Sequence, residues 1–265
     1  MKTTFNITRF GKLFKKEFVE RAPVIFKMMA VISLILIGIW LTSILFGTDI
    51  IFQTKIRSVY IYLIVFGTAV VAPFAFYNDF NHTKKGLDYI SLPASISEKF
   101  LSMFVLSLII IPVIAFITVM FADTTIAIIS PTYFSGFIFS DNLFFSKLFY
   151  SIPDLFILPS MCFLGNLIYR NNKVVKTFLS AAGVYILLAA ILVFLFQYLF
   201  KTELNTLGSN FNYRFDNLIN LYQSDFIAKF PVMKFATGVM ALLYNFGIPA
   251  AALTGAYYRI KNIQY

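Results

Sequence analysis

The sequence predicts an all-α membrane protein of about six transmembrane helices, with an amphipathic interfacial helix at the N-terminus. Two observations predict it. Of 265 residues, 59% are hydrophobic and only 13% are charged, about half the charge of a soluble domain. Thirty-three Phe and fifteen Tyr exceed what a soluble core and surface use, and suit helices whose outer faces meet lipid. The charges that remain cut the chain into apolar windows of the length a helix needs to cross the hydrocarbon core, about 20 residues. Short alternating segments, the mark of a β-barrel, are missing.

From the N-terminus, residues 1–23 form a basic cytoplasmic segment. Phe5, Phe10, Leu13, Phe14 and Phe18 share roughly one helical face, while Lys12, Lys15, Lys16 and Glu20 fall mostly elsewhere. This pattern predicts a helix lying in the cytoplasmic interface. Spans follow near 28–48, 58–78, 100–122, 148–169, 177–200 and 235–258, the fourth interrupted only by Asp154. The window from Thr124 to Ser140 holds 17 uncharged residues, among them Ser130, Pro131, Ser135 and Gly136. It is short and polar, and is expected to be an external loop or interfacial segment. The chain reads as one membrane domain without repeats.

Lys and Arg set orientation, because they collect on the cytoplasmic side. Six spans with both termini inside place 14 cations in inner segments and 7 in outer ones. Seven spans give the same tally, so charge alone leaves the count open between six and seven. The turn from Arg170 to Lys176, with three cations and no acid, fits an inner loop and favours six. The net charge of +10 then points to anionic membrane lipid rather than nucleic acid.

Between the second and third windows lies the most informative polar segment, 78–99, on the predicted cytoplasmic side. Asn81, His82, Lys84, Lys85 and Gly86 suit a turn, and Pro93 breaks the chain. Ser95 and Glu98 have the Ser-x-x-Glu spacing of a capping box, so a helix should start there. Such a knuckle is either a docking element or an ordinary capped loop. The predicted outer segment from Lys201 to Lys234 is rich in apolar residues and is expected to dip back toward the bilayer or form a small external cap. Asp154 is the one acid inside a candidate span. It is either a functional intramembrane carboxylate or a group reaching the interface. Gly247, Ala251 and Gly255 recur every four residues, a small-residue stripe for helix packing or a dimer seam. Pro73, Pro112, Pro159 and Pro249 are expected to kink their spans.

Several chemistries find no support. One His, one Cys and scattered acids do not suggest a metal site. No phosphate-binding loop is present; Gly11-Lys12 lacks the glycine five residues earlier, where Asn6 stands. No hydrolase motif appears, and the chain is not expected to be an enzyme. Asn6-Ile7-Thr8 and Asn81-His82-Thr83 match the glycosylation triplet, but lie on the predicted cytoplasmic side and are read as chance.

The segment Leu92 to Ser102, LPASISEKFLS, resembles one in bacterial ABC-2-type transporter permeases, where a Leu-Pro-Ala-Ser stretch leads into Glu-Lys-Phe and the third helix. The layout is similar to that family over nearly the whole chain. The resemblance implies a multi-pass subunit of an ABC exporter in the bacterial cytoplasmic membrane. It would form a homodimer or a paired permease and engage a separate ATP-binding cassette subunit, on which ATP and Mg would bind. It further implies that the 78–99 loop couples to that ATPase, above all through Asn81, Lys84, Lys85, Leu92, Pro93, Ser95 and Glu98. The N-terminal segment would match the family's connecting helix, and the 201–234 segment its re-entrant external helices. A non-transporting scaffold or sensor using the same loop, and an ion-coupled transporter centred on Asp154, are the competing readings.

Overall fold

The computed structural model describes residues 5–45, 54–81, 92–132, 134–140, 142–195, 198 and 231–262. Among them there are helices and no strand. Helix α1 spans Ile7–Leu45. Helix α2 spans Thr54–Tyr77 and ends in a 3-10 turn, Asn78–Asn81. Helix α3 runs continuously over Ile96–Ile129. Helix α4 covers Asn142–Ile168 and α5 Lys173–Phe194. Helix α6 consists of Pro231–Leu242, a π-helical turn Leu243–Gly247, and Ile248–Asn262.

Five of these helices are long and apolar enough to cross a membrane, and Ile152–Ile168 of α4 is a shorter apolar stretch. Large apolar side chains face outward along them, including Leu34, Leu63, Phe121, Ile186 and Phe246. Such a surface needs lipid around it. The chain is a multi-pass α-helical membrane protein.

Helix boundaries depart from the apolar windows where polar groups find partners inside the fold. The N-terminal segment is helical, but it continues into the first apolar window as one helix of 39 residues, roughly 58 Å long. Pro23 lies inside it without ending it. Its buried stripe, Leu13, Glu17, Ile25, Ile32 and Leu36, runs through both segments, so one packing face serves the whole length. Helix α3 likewise passes Asp123 and takes up Thr124–Ile129, expected to open the external segment. Asp123 is paired within the protein, and the hydroxyls of Thr124 and Thr125 donate to the carbonyls of Met120 and Phe121, 2.7 and 2.8 Å away. Polar residues so satisfied do not interrupt a helix.

Two of the four expected proline kinks take a specific form. A π-helical turn, Val105–Ile110, ends two residues before Pro112. The second, Leu243–Gly247, ends two residues before Pro249. Proline has no N–H and its ring crowds the carbonyl four residues back; a widened turn accommodates both. Pro73 and Pro159 lie within α-helical stretches.

Helix α3 lies against α1 and α2, and α4 against α2, α5 and α6. One apolar cluster, including Phe76, Met103, Phe163 and Ala256, joins α1, α2, α3, α4 and α6 near the start of α3. A second, including Leu36, Ile61, Val119 and Phe134, joins α1, α2 and α3 toward the other end. Helices α4 and α5 approach closely at Gly165, where an added Cβ would stand 2.1 Å from Thr177 Oγ1. Gly165→Ala should therefore destabilise the protein by about 1–3 kcal/mol through overpacking. Gly11→Ala, with open space around it, should be tolerated; thermal melting in detergent compares the two. On α6 the inward face is Ala252, Ala256 and Ile260. Of the expected stripe, Gly255 meets Leu164 of α4, Ala251 is exposed, and Gly247 falls within the π-helical turn.

Candidate functional site

The end of the bundle where α1 and α3 begin, and where α2, α4 and α6 finish, is built from buried polar residues. Ser95 is the N-cap of α3, extended at φ −68° and ψ 158°, and the capping box closes as its spacing predicts. The Glu98 amide donates to Ser95 Oγ at 3.3 Å, and the Ser95 amide donates to Glu98 Oε2 at 2.9 Å. A capping-box glutamate ordinarily serves one helix. Here it serves two.

Glu98 is fully buried and also accepts from the start of α1. The Asn6 amide donates to Oε1 at 2.7 Å. Arg9 forks onto the carboxylate, Nε to Oε2 at 2.7 Å and Nη2 to Oε1 at 2.6 Å. Asn6 is itself the cap of α1, its Oδ1 accepting from the amides of Thr8 and Arg9 at 2.9 and 3.2 Å. A bidentate, charge-assisted pair fixes direction as well as distance. The first turn of α1 and the first turn of α3 are thus clamped by one carboxylate.

Asn81 caps a different helix. It is buried, and its Nδ2 donates to the carbonyls of Leu167, Asn166 and Tyr169, the latter two at 3.2 and 3.3 Å. Asn166 in turn donates to the carbonyls of Pro73 and Tyr77, 2.8 and 3.0 Å away. Cations complete the belt. Arg21 Nε reaches the Phe76 carbonyl, Arg259 Nε the Leu167 carbonyl, and Lys173 Nζ the Asn78 carbonyl. Helix C-termini leave carbonyls without partners and carry partial negative charge, so amides and cations stabilise them. Glu17 accepts from Tyr77 Oη at 2.7 Å, with the Arg21 guanidinium over the Tyr77 ring at 4.4 Å. Asn81→Ala should cost about 1–3 kcal/mol by orphaning buried carbonyls. A lower melting temperature with unchanged helical circular dichroism checks this.

The expected coupling residues therefore divide. Ser95, Glu98 and Asn81 are buried in the frame, Leu92 is partly exposed and Pro93 is exposed; beside them the structure also exposes Ile96, which was not among the expected residues. Lys84 and Lys85 lie outside the described residues, as does 201–230 of the expected external segment. Sequence reasoning missed Asn6, Arg9, Glu17 and Asn166. Asn6 had a legible signal, a capping residue just ahead of an amphipathic helix; the partners of the others are distant in sequence.

Asp154 of α4 is half-buried. It is near enough to interact electrostatically with Tyr62 of α2, Tyr185 of α5 and Tyr244 in the π-helical turn of α6. The rings of Tyr185 and Tyr244 lie with their centroids 6.2 Å apart.

At the far end, Arg57 and Asp123 form a buried pair, their side chains 2% and 4% exposed. Nη2 donates to Asp123 Oδ2 at 3.3 Å and to the Gly136 carbonyl at 2.8 Å, and Nη1 to the Ser135 carbonyl at 3.4 Å. Nε lies 3.2 Å from Oδ1, off the line of a hydrogen bond. Phe134 packs on the guanidinium at 5.1 Å. Gly136 turns the chain at φ +72°, a conformation open to glycine at no steric cost.

No protein-family model, curated protein or solved structure matches this chain.

Proposed function

We propose that this chain is the transmembrane permease subunit of an ATP-driven ABC exporter. In this reading it spans the bacterial cytoplasmic membrane six times with both termini inside. It forms a homodimer or a paired permease, and couples through its 78–99 loop to a separate ATP-binding cassette subunit that holds ATP and Mg.

One observation carries the reading. Glu98 binds the first turn of α3 to the first turn of α1 through four hydrogen bonds from outside its own side chain, two from Arg9 and one each from the amides of Asn6 and Ser95. A push on the exposed Pro93 therefore moves two helices together, and the π-helical turn at Val105–Ile110 is a natural hinge beyond them. The partner contact falls on Leu92, Pro93 and Ile96, while Ser95 and Glu98 transmit. The resemblance of Leu92–Ser102 to ABC-2-type permeases supports the same assignment, as does the missing phosphate loop.

The test is reconstitution of the full chain with its cassette in vesicles. ATP should drive substrate movement where a non-hydrolysable analogue does not. Glu98→Gln should keep ATP hydrolysis and lose most of the movement. Transport untouched by both Pro93 and Glu98 substitutions would overturn the coupling, movement without ATP would favour the ion-coupled reading, and no movement at all would leave a scaffold.

A further inference from the structure

Beside the turn joining α4 to α5, a groove of about 460 Å³ opens between α2 and the start of α5. Its walls are apolar, chiefly Val71 and Phe74 on one side and Val174 and Val175 on the other. Its rim carries two cations, Arg170 and Lys173. We propose that this groove binds an anionic phospholipid, with the phosphate at Arg170 and Lys173 and the acyl chains along the apolar walls.

Three observations lead there. The groove lies on an outward-facing apolar surface: Val71, Val174, Val175 and Leu179 are 57%, 48%, 61% and 68% exposed. Among the described residues α5 packs chiefly on α4, which leaves apolar surface on it to receive acyl chains. The cations sit at the turn where the apolar helices α4 and α5 meet, Arg170 between them and Lys173 at the first residue of α5. Arg170 is exposed, with no acidic partner among the described residues. Lys173 Nζ is held by the Asn78 carbonyl and keeps further N–H groups for a phosphate oxygen. Asp79 interacts with Lys173, so the rim is two cations against one acid, a net positive site. A basic pocket bordered by apolar helix faces at the membrane surface matches an anionic headgroup with its chains attached. A soluble anion would use the rim and leave the walls idle. The inference rests on membrane embedding alone and not on the transport reading.

Native mass spectrometry of the full-length protein, given phosphatidylglycerol or phosphatidylcholine with identical chains, tests it. Wild type should retain phosphatidylglycerol at least about fivefold better, the scale set by one net interfacial charge. Arg170→Gln with Lys173→Gln should abolish that preference, while Lys12→Gln with Lys16→Gln should keep it. Excess inorganic phosphate should not displace the lipid. Equal retention of the two lipids by wild type overturns the proposal whether or not the variants fold. A preference surviving the double substitution, or full displacement by inorganic phosphate, also overturns it.

Discussion

Glu98→Ala is expected to destabilise the protein by about 3 kcal/mol and to loosen the start of α1 from the start of α3. Removing one partner of a buried ion pair leaves the other uncompensated, and that costs more than the pair contributes net. Here two backbone amides are stranded as well, those of Asn6 and Ser95. The value stays near the low end of the range because Arg9 keeps 34% of its side chain in solvent and can rehydrate. Arg9→Ala should cost less, since Glu98 retains both amides. Ser95→Ala should cost about 1 kcal/mol, the loss of an N-cap hydroxyl. Thermal melting in one detergent gives the order Glu98, Arg9, Ser95. Hydrogen exchange adds the location, because only the first substitution should raise exchange in the first turns of both α1 and α3. Equal effects from all three would mean that Glu98 is no more than a local cap.

Arg57→Met is expected to be the most destabilising change at the opposite end, by about 3–5 kcal/mol, because it leaves Asp123 charged and buried. Asp123→Leu should be milder: Arg57 would keep the carbonyls of Ser135 and Gly136 and the face of Phe134. The double variant should regain much of the loss, since apolar residues replace both charges at similar volume. A double-mutant cycle on melting free energies measures this coupling. Additive effects would show that the two side chains are neighbours without being partners.

How much of this was legible in the sequence depended on distance along the chain. The apolar windows located the helices, because burial in lipid is a property of local composition. The ends were misjudged where a charge is neutralised by a remote partner. Asp123 reads as the close of a span, yet Arg57, 66 residues earlier, admits it to the interior and lets α3 run on to Ile129. The capping box at Ser95 and Glu98 was legible because its two members lie three positions apart. Its second role was not, since Arg9 lies 89 residues away and nothing in the N-terminal pattern marks that arginine apart from its basic neighbours. The glycosylation-like triplets at Asn6 and Asn81 show the same limit. Both asparagines are helix caps, Asn6 for the helix that follows it and Asn81 for a helix it meets only in the folded chain. Prolines 112 and 249 marked where two helices deform; the widening into π-helical turns comes from the fold.

The proposed coupling makes the chain one part of a larger machine, and this can be tested without knowing the substrate. The full-length chain, tagged and solubilised gently from its native membrane, should bring with it an ATP-binding cassette protein in stoichiometric amount. Replacing exposed Pro93 with a bulky charged residue should reduce that recovery while leaving the melting temperature of the chain itself unchanged. Recovery of the chain with no ATP-binding protein would contradict the account, and so would recovery of the cassette undiminished by substitutions at Leu92, Pro93 and Ile96 together.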